Sequence, residues 1–363
     1  MDSKIHYRAA APFEAALQLD VLPHGHRSKG MHGHSFMAKV RAPEAAVAAP
    51  FAGGEVNALA TQLRDVINPL NYSYLNDVID VPTDENIARW VYAGFPQGSL
   101  EIAGVQSTHD EGADLDQDGN AHIWRRYRFE AAHQLPNVPQ GHQCGRMHGH
   151  GFEVIIHVQQ QLSADEAMGV DYEQLDRTWE PLQQHLGYSC LNDIEGLENP
   201  TSEVISSWIW DRLAPRVPGL SWVSVYETAT AGCHFDGSHY RIWKESRFEA
   251  ALQLAAAPDT RSRLHGHSYL VRLHLSAPLD TVFGWTVDYG DVKELFGPTY
   301  EQLDHHNLNS VTGMGEPTIK NMLHWMRARS EPVLPQLNRI DLYQTPGCGA
   351  GLSWGELGPA LPL

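Results

Sequence analysis

The sequence predicts an α+β protein built from three tandem copies of one unit. A Phe-Glu-Ala-Ala segment begins at Phe13, Phe129 and Phe248, and a His-Gly-His motif follows each of them, starting at His32, His148 and His265. The spacing from the phenylalanine to the first histidine is 19, 19 and 17 residues. A motif pair that recurs in nearly constant register indicates a repeated structural unit.

Two further landmarks keep the same register. A Leu-Asn pair lies 43 residues after the first histidine of each motif, at residues 75, 191 and 308, and a Pro-Thr pair follows it at residues 82, 200 and 317. The third copy is two residues shorter only between its phenylalanine and its histidine, which places the deletion in a loop. We expect repeats at residues 1–112, 122–236 and 241–363.

The middle copy shows the elements of each unit. Bulky apolar residues alternate from 152 to 158, which is typical of a half-buried strand, and residues 129–135 are its expected hairpin partner. Residues 172–184 have helical apolar spacing, the Pro-Thr-Ser-Glu segment at 200–203 predicts the start of a second helix that reaches 213, and 221–228 reads as a strand. The Asp- and Gly-rich stretch 109–121 begins like a calcium loop but has Arg125 in place of the final glutamate, so we expect a solvated linker there.

Composition excludes several classes of function. The 363 residues carry a formal net charge of -18, which disfavours a general nucleic-acid or anionic-membrane surface. No apolar stretch is long enough to cross a bilayer and no secretory signal is evident, so we expect a cytoplasmic protein. The four cysteines are few and scattered, which predicts free thiols.

Three histidines of the middle copy form a candidate zinc site. His148 and His150 are two residues apart on a predicted strand, so their imidazoles project from one face. His133, on the neighbouring strand, can supply a third nitrogen. Three protein ligands with an open fourth position are typical of a catalytic zinc site.

The other two copies lack one of the three histidines and the cysteine of the middle copy. Leu17 and Leu252 replace His133, so we interpret the remaining histidines of those copies, at 32, 34, 265 and 267, as structural remnants. The middle copy also has Cys144 on a glycine-flanked loop, where the corresponding positions are Ser28 and Arg261. A cation, Arg146 and imidazoles nearby would lower the pKa of this thiol and favour the reactive thiolate.

The motifs around these residues resemble a known enzyme family. The segments at 129–135, 141–150, 196–203 and 226–233 look like those of bacterial 6-carboxy-tetrahydropterin synthases and, more broadly, of 6-pyruvoyl-tetrahydropterin synthases of the tunnelling fold. The resemblance implies that His133, His148 and His150 hold zinc, that Cys144 is the catalytic base, and that Glu227 anchors the pterin ring. At the position of Glu227 the other copies have Ser107 and Gln344.

One family element is absent from the middle copy. The family has an Asp-His dyad just before the Leu-Asn pair, and here it occurs in the third copy, as Asp304 and His305. The family's active sites form between neighbouring subunits, with the cysteine and the dyad supplied by different ones. Our hypothesis is therefore that Cys144 of the second copy and the dyad of the third meet in one composite site, where the dyad acts as an acid-base relay.

The resemblance also implies an architecture and a reaction. Each copy would be a four-stranded antiparallel sheet covered by two helices, and three sheets would close into a pseudo-trimeric twelve-stranded barrel without free edges. Two such chains could stack as a homodimer. The implied reaction converts 7,8-dihydroneopterin triphosphate to 6-carboxy-tetrahydropterin, a step toward queuosine-type deazapurines, with Arg146 and His142 as candidate phosphate contacts. A 6-pyruvoyl-tetrahydropterin synthase and a non-catalytic pterin-binding or scaffold protein remain as alternatives.

Overall fold

Each copy of the repeat folds into the same series of elements. The computed structural model describes residues 3–161, 168–280, 284, 286–359 and 362. The first copy contains β1 (Lys4–Leu17), β2 (His32–Pro43), α1 (Glu55–Ile67), β3 (Ser73–Tyr74), α2 (Asp84–Ala93), β4 (Ile102–Thr108) and β5 (Glu111–Asp116). The second contains β6 (Ala121–His133), β7 (His148–Gln160), α3 (Tyr172–Leu186), β8 (Ser189–Cys190), α4 (Ser202–Leu213), β9 (Leu220–Thr228) and β10 (Ala231–Phe235).

The third copy follows the same order and completes a ring. It contains β11 (Tyr240–Leu252), β12 (His265–Ser276), α5 (Tyr289–Tyr300), β13 (His306–Asn307), α6 (Ile319–Ser330), β14 (Leu337–Thr345) and β15 (Cys348–Ser353). The long strands pair in the order β10-β9-β7-β6-β5-β4-β2-β1-β15-β14-β12-β11, and β10 pairs with β11. The twelve-stranded antiparallel barrel predicted from the sequence is therefore confirmed.

Three seams join the copies, and each pairs the last strand of one copy with the first strand of the next. These seams are β5 with β6, β10 with β11, and β15 with β1, all antiparallel. Closure leaves none of the long strands with an unpaired edge, which removes the exposed backbone groups that an open sheet would present. The two-residue strands β3, β8 and β13 pair in parallel with β1, β6 and β11.

The stretch expected as a solvated linker is instead a buried strand. Residues Glu111–Asp116 form β5, the fourth strand of the first sheet, and Asp114 is only 3% exposed because its carboxylate pairs with Lys39 at 2.9 Å. The interpretation of an acidic linker was wrong because a buried ion pair permits Asp in a barrel interior. Strand β5 extends to Asp116, and the repeat borders all stay predictions.

The two faces of the barrel wall have different chemistry. Outward residues of β1, such as Tyr7 and Phe13, pack against Leu59 and Leu63 of α1 in one continuous apolar core. The inward face lines the lumen and carries many charged side chains. At two seams a glycine faces a tryptophan in the lumen. A Cβ atom at Gly112 would lie 2.6 Å from Trp124, and one at Gly232 would lie 2.4 Å from Trp243.

The helix starts that the sequence predicts are present. Thr201 is the N-cap of α4, and its side chain accepts a hydrogen bond from the backbone N–H of Val204. The equivalent Thr83 and Thr318 cap α2 and α6 in the same way. Among the residues described, no helix combines the length and apolar character that a membrane crossing requires.

Candidate metal and substrate site

The three histidines predicted as metal ligands lie together at one end of the barrel wall. His133 ends β6 and pairs directly with His148, which begins β7, and His150 follows two residues later. One ring nitrogen from each of the three can be chosen so that all lie within 4.8 Å of one another. The Nε2 atoms of His133 and His150 are 3.0 Å apart. His133 is fully buried.

Hydrogen bonds to backbone carbonyls orient two of these rings. Nδ1 of His133 faces the Pro200 carbonyl oxygen at 3.1 Å, and Nδ1 of His148 faces the Arg146 carbonyl oxygen at 2.8 Å. An Nδ1–H that donates to a carbonyl leaves the lone pair on Nε2, which is the form that binds a metal. Together with His150, these two oriented rings fit the donor set of a catalytic zinc ion.

A second group of possible ligands lies at the seam between the first and second copies. His26, Asp171 and Glu173 bring one donor atom each within 4.8 Å of the others. However, Nδ1 of His26 accepts a hydrogen bond from the backbone N–H of Ser28, so the proton of a neutral ring is on Nε2. That nitrogen lies 3.1 Å from a carboxylate oxygen of Glu173. A ring nitrogen that carries a proton has no lone pair for a metal, so this group is an ion-pair cluster rather than a metal site.

Cys144 is placed by a short 3-10 turn, Gln143–Gly145, between the first and second histidine ligands. His142 caps this turn: its Nδ1 accepts from the backbone N–H of Cys144, and its Nε2 lies 3.2 Å from a carboxylate oxygen of Asp288. Both ring nitrogens of His142 thus have partners inside the protein. This arrangement is suited to positioning the turn that carries Cys144, and the phosphate contact expected of His142 stays a prediction.

The protein groups around Cys144 do not activate it by themselves. Burial raises the pKa of the thiol, and the negative charges of Glu227 and Asp288 raise it further. This result differs from the expectation that Arg146 and the imidazoles would lower it. A metal cation bound at the three histidines would act in the opposite direction and favour the thiolate.

A cavity of about 700 Å³ opens in front of these groups, at the seam between the second and third copies. The third copy contributes Lys244, Asp288 and Lys293, and the second contributes His142, Cys144, Arg146, His148, His150 and Glu227. The sequence comparison missed Lys244, Asp288 and Lys293, although Asp288 has a counterpart in Asp171, since both cap the first helix of their copy.

Three carboxyl groups shape the electrostatics of this cavity. Burial raises the pKa of Glu227 to about 7, and the neighbouring charges of Glu203 and Asp288 contribute. Glu203 is buried and accepts hydrogen bonds from the third copy, from Thr286 N at 2.7 Å and Thr286 Oγ1 at 3.1 Å. Burial also raises the pKa of Glu203. These hydrogen bonds join the second and third copies beside the cavity.

The dyad lies elsewhere in the chain. Asp304 and His305 form a pair at 3.0 Å, but His305 lines an open groove with His265 and His267 of its own copy and is absent from the cavity lined by Cys144. Within one chain the expected meeting of the dyad with Cys144 is therefore corrected. The reason is geometric: the turn before β13 follows the strands of the third copy, and it is helix α5 that reaches the second copy.

The turn that holds the dyad recurs in all three copies. Tyr72, Tyr188 and His305 occupy equivalent positions with φ of 54°, 57° and 58°, and each donates its backbone N–H to a carbonyl of the adjacent long strand. The side chain of His305 is 77% exposed, and Tyr72 and Tyr188 are 84% and 93% exposed. All three side chains consequently project from the same rim of the barrel into solvent.

Comparison with known proteins finds one family along all three copies. A family model described as 6-pyruvoyl tetrahydropterin synthase matches residues 7–106, 122–238 and 241–353. A 6-carboxy-5,6,7,8-tetrahydropterin synthase from Synechocystis sp. is 40% identical over 119 residues, which cover 31% of this chain and 91% of that protein. A dihydroneopterin monophosphate aldolase from Pyrococcus furiosus is 28% identical over 117 residues, or 31% and 97% of the two chains.

A solved structure of the Caenorhabditis elegans 6-pyruvoyl tetrahydropterin synthase is similar to one third of this chain. It is 19% identical and covers 32% of this chain and 95% of its own, with a TM-score of 0.29. The three family matches together span most of the sequence and coincide with the three structural repeats. The chain is therefore an enzyme of the 6-pyruvoyl tetrahydropterin synthase family, with three copies of the family's unit in one polypeptide.

Proposed function

We propose that this chain is a zinc-dependent 6-carboxy-5,6,7,8-tetrahydropterin synthase that acts on 7,8-dihydroneopterin triphosphate, with one metal-bearing site in each chain. The observation that carries the proposal is the cavity at the second seam, where Cys144 and Glu227 lie with His148 and His150, two members of the three-histidine group. The relative with that activity in its name is 40% identical over 91% of its length. The equivalent places in the first and third copies have Leu17 and Leu252 instead of a third histidine.

The proposed substrate matches the distribution of groups in the cavity. The ionised Glu227 accepts two N–H donors from the aminopyrimidinone edge of the pterin. Lys244, Lys293 and Arg146 supply the positive charge that a triphosphate requires. Burial and Lys293 lower the pKa of Lys244, so an anion placed between the two lysines would relieve their repulsion.

The chain's own residues position the substrate and move protons. A zinc ion held by His133, His148 and His150 would polarise the side-chain hydroxyl groups of the substrate. Cys144, presented by the turn that His142 and Asp288 fasten, takes a proton from the substrate side chain. Thr286 and Glu203 keep the seam closed around the reacting carbons.

We further propose that the dyad reaches Cys144 across an interface between two chains. His305 is exposed and Asp304 partly exposed on the rim of the barrel where the metal site also opens. At equivalent positions of the three copies, Met31, Met147 and Leu264 expose 68%, 52% and 64% of their surface. Exposed apolar side chains in threefold repetition are suited to an isologous contact with a second rim. Sedimentation analysis tests this step, since a strictly monomeric active enzyme would contradict it.

The cellular setting follows from the proposed reaction. The product would feed a pathway to queuosine-type deazapurines, in the cytoplasm. Deletion of the gene should then deplete the deazapurine in tRNA, and restoration by the wild-type chain but not by a Cys144→Ala chain would link the pathway to this site.

Product analysis tests the proposed activity. Zinc-loaded protein is incubated with 7,8-dihydroneopterin triphosphate, and the pterin product is identified by mass spectrometry, with Cys144→Ala as the inactive control. We expect 6-carboxy-tetrahydropterin together with acetaldehyde and triphosphate. A product that keeps all the side-chain carbons would indicate the alternative, a 6-pyruvoyl-tetrahydropterin synthase. An unchanged substrate with a fully zinc-loaded chain would favour a non-catalytic pterin-binding protein.

A further inference from the structure

The lumen of the barrel differs at one of its three seams. Next to each seam, the first two strands of a copy place one inward cross-strand pair in the lumen. At the first two seams this pair is a tryptophan with a histidine, Trp124 with His157 and Trp243 with His274. At the third seam the equivalent pair is Arg8 with Arg41. The glycine that faces the tryptophan elsewhere, Gly112 or Gly232, has its counterpart in Gly349, which pairs with Arg8.

This exchange replaces neutral groups with charged ones. Burial holds the pKa of His157 and of His274 at about 3, so both rings are neutral. The equivalent residues at the third seam, Arg8 and Arg41, are cations that lie directly opposite each other on β1 and β2. Like charges in directly opposed cross-strand positions destabilise a sheet unless a counter-charge lies between them.

The exchange also leaves a small cavity. A space of about 60 Å³ is lined by Arg8, Arg41, Lys39, Arg272 and Arg339, together with Tyr343. Since a single water requires roughly 10–15 Å³ of such space, the cavity has room for a few waters or one small polyatomic ion. A pterin or a nucleotide is too large for it.

The positive charge around this cavity exceeds the negative charge of its carboxylate partners. Arg41 pairs with Glu101, Lys39 with Asp114 and Arg272 with Glu245, whereas Arg8 and Arg339 share Asp341. Five cations thus face four carboxylates in the part of the chain that the structure describes. Nη2 of Arg8 is buried and has no hydrogen-bond acceptor among the described residues. Burial and the charges of Arg8 and Arg339 together lower the pKa of Arg41 to about 10.

We propose that this cavity binds one small inorganic oxyanion of the phosphate class inside the barrel, at the seam between the third and first copies. The anion supplies the missing negative charge and an acceptor for Nη2 of Arg8. It is held by a chain whose overall charge is -18, so the site depends on the local arginines and not on general attraction. A larger cavity of about 550 Å³ at the lumen shares Arg272 and Tyr343 with it and provides an approach.

The test is calorimetric titration of the full chain with inorganic phosphate in a phosphate-free buffer, with phosphorus NMR as a second readout. We expect one phosphate per chain. The decisive variant is the double substitution Arg8→Trp and Arg41→His, which copies the pair already present at the other two seams and faces a glycine as they do. It should fold, as judged by circular dichroism and thermal unfolding, and lose at least tenfold in phosphate affinity.

Two controls make the result specific. Arg212→Met removes an exposed arginine that stacks on Trp208 far from the lumen and should leave phosphate binding unchanged. Lys293→Met removes a cation of the pterin cavity. The proposal is overturned if wild-type protein binds no phosphate, if the double variant binds it as tightly as wild type, or if Lys293→Met alone abolishes binding, because phosphate would then occupy the pterin cavity. Should the double variant be unstable, Arg41→Gln, which keeps a donor for Glu101, gives the same test.

Discussion

Replacement of His133 by leucine should remove the metal without unfolding the barrel. Leucine already occupies the equivalent position in the other two copies, where Leu17 and Leu252 are 3% and 1% exposed. The substitution removes the hydrogen bond to the Pro200 carbonyl, which costs about 1 kcal/mol. Burial of an aliphatic side chain stabilises by about 1.5 kcal/mol or more. The metal-free variant should therefore remain within about 1 kcal/mol of the wild type.

The effect on the metal-bound protein is larger. Zinc present at a hundred times its dissociation constant stabilises the folded wild type by about 2.7 kcal/mol. Even a change in the surroundings of a ligand weakens metal binding by roughly 10–100-fold, so loss of one of three ligands should weaken it by about 100-fold or more. At the same zinc concentration the stabilisation of the variant then falls to about 0.4 kcal/mol.

Thermal unfolding with and without zinc, together with elemental analysis, measures both quantities. The matched control is His267→Leu, because His267 is the counterpart of His150 in a copy that lacks the third histidine. This control should keep one zinc per chain and the full zinc-dependent shift in melting temperature. A His133→Leu protein that still retains stoichiometric zinc would refute the assignment of the three ligands.

Three further predictions concern positioning and pH. Asp288→Asn keeps the cap of helix α5 but weakens the contact with His142. Steady-state kinetics should then show a kcat about tenfold lower, with a nearly unchanged KM and an unchanged zinc content. An increased KM at constant kcat would argue against a positioning role. Under the proposed function, Glu227 accepts both pterin N–H donors only when ionised, and its pKa is about 7, so kcat/KM should rise with pH through about 7. Glu227→Gln should flatten that rise at a lower activity, and a rise that persists in the variant would assign it to another group. His157 has a pKa of about 3 in the folded chain and about 6.5 in the unfolded chain. Below pH 6.5 the unfolded state therefore binds more protons, and at pH 5 this difference should lower the free energy of unfolding by about 2 kcal/mol. Denaturant titrations should show a shallower acid loss for His157→Gln, and an identical pH profile would contradict the burial of a neutral ring.

The architecture could be predicted from the sequence because the same motifs recur in all three copies at nearly constant spacing. The motifs at Phe13, Phe129 and Phe248 fix three equivalent hairpins, and closure of three sheets removes their edges. The three histidines followed from strand periodicity, since His148 and His150 share a face and His133 is their cross-strand neighbour. Local patterns of this kind carry over directly into structure.

The remaining features depend on contacts between copies, which spacing does not reveal. Strand β5 was missed because Asp114 is stabilised by Lys39, a residue 75 positions away. The dyad was expected beside Cys144 because the resembling family forms its active site between neighbouring subunits, but helix α5 and not the turn at Asp304 borders that cavity. The raised pKa of Cys144 results from burial together with Glu227 and Asp288, which only the folded seam brings near.

Complementation between two inactive variants tests the central claim, that the thiol and the proton relay of one active site come from different chains. Cys144→Ala and Asp304→Asn chains are each purified, mixed under conditions that allow exchange of chains, and assayed for turnover. In a symmetric dimer half of the pairs are mixed, and each mixed pair has one intact site out of two, so the mixture should regain about a quarter of wild-type activity. A mixture that exchanges chains and stays inactive, or an Asp304→Asn chain that is fully active alone, would contradict the account.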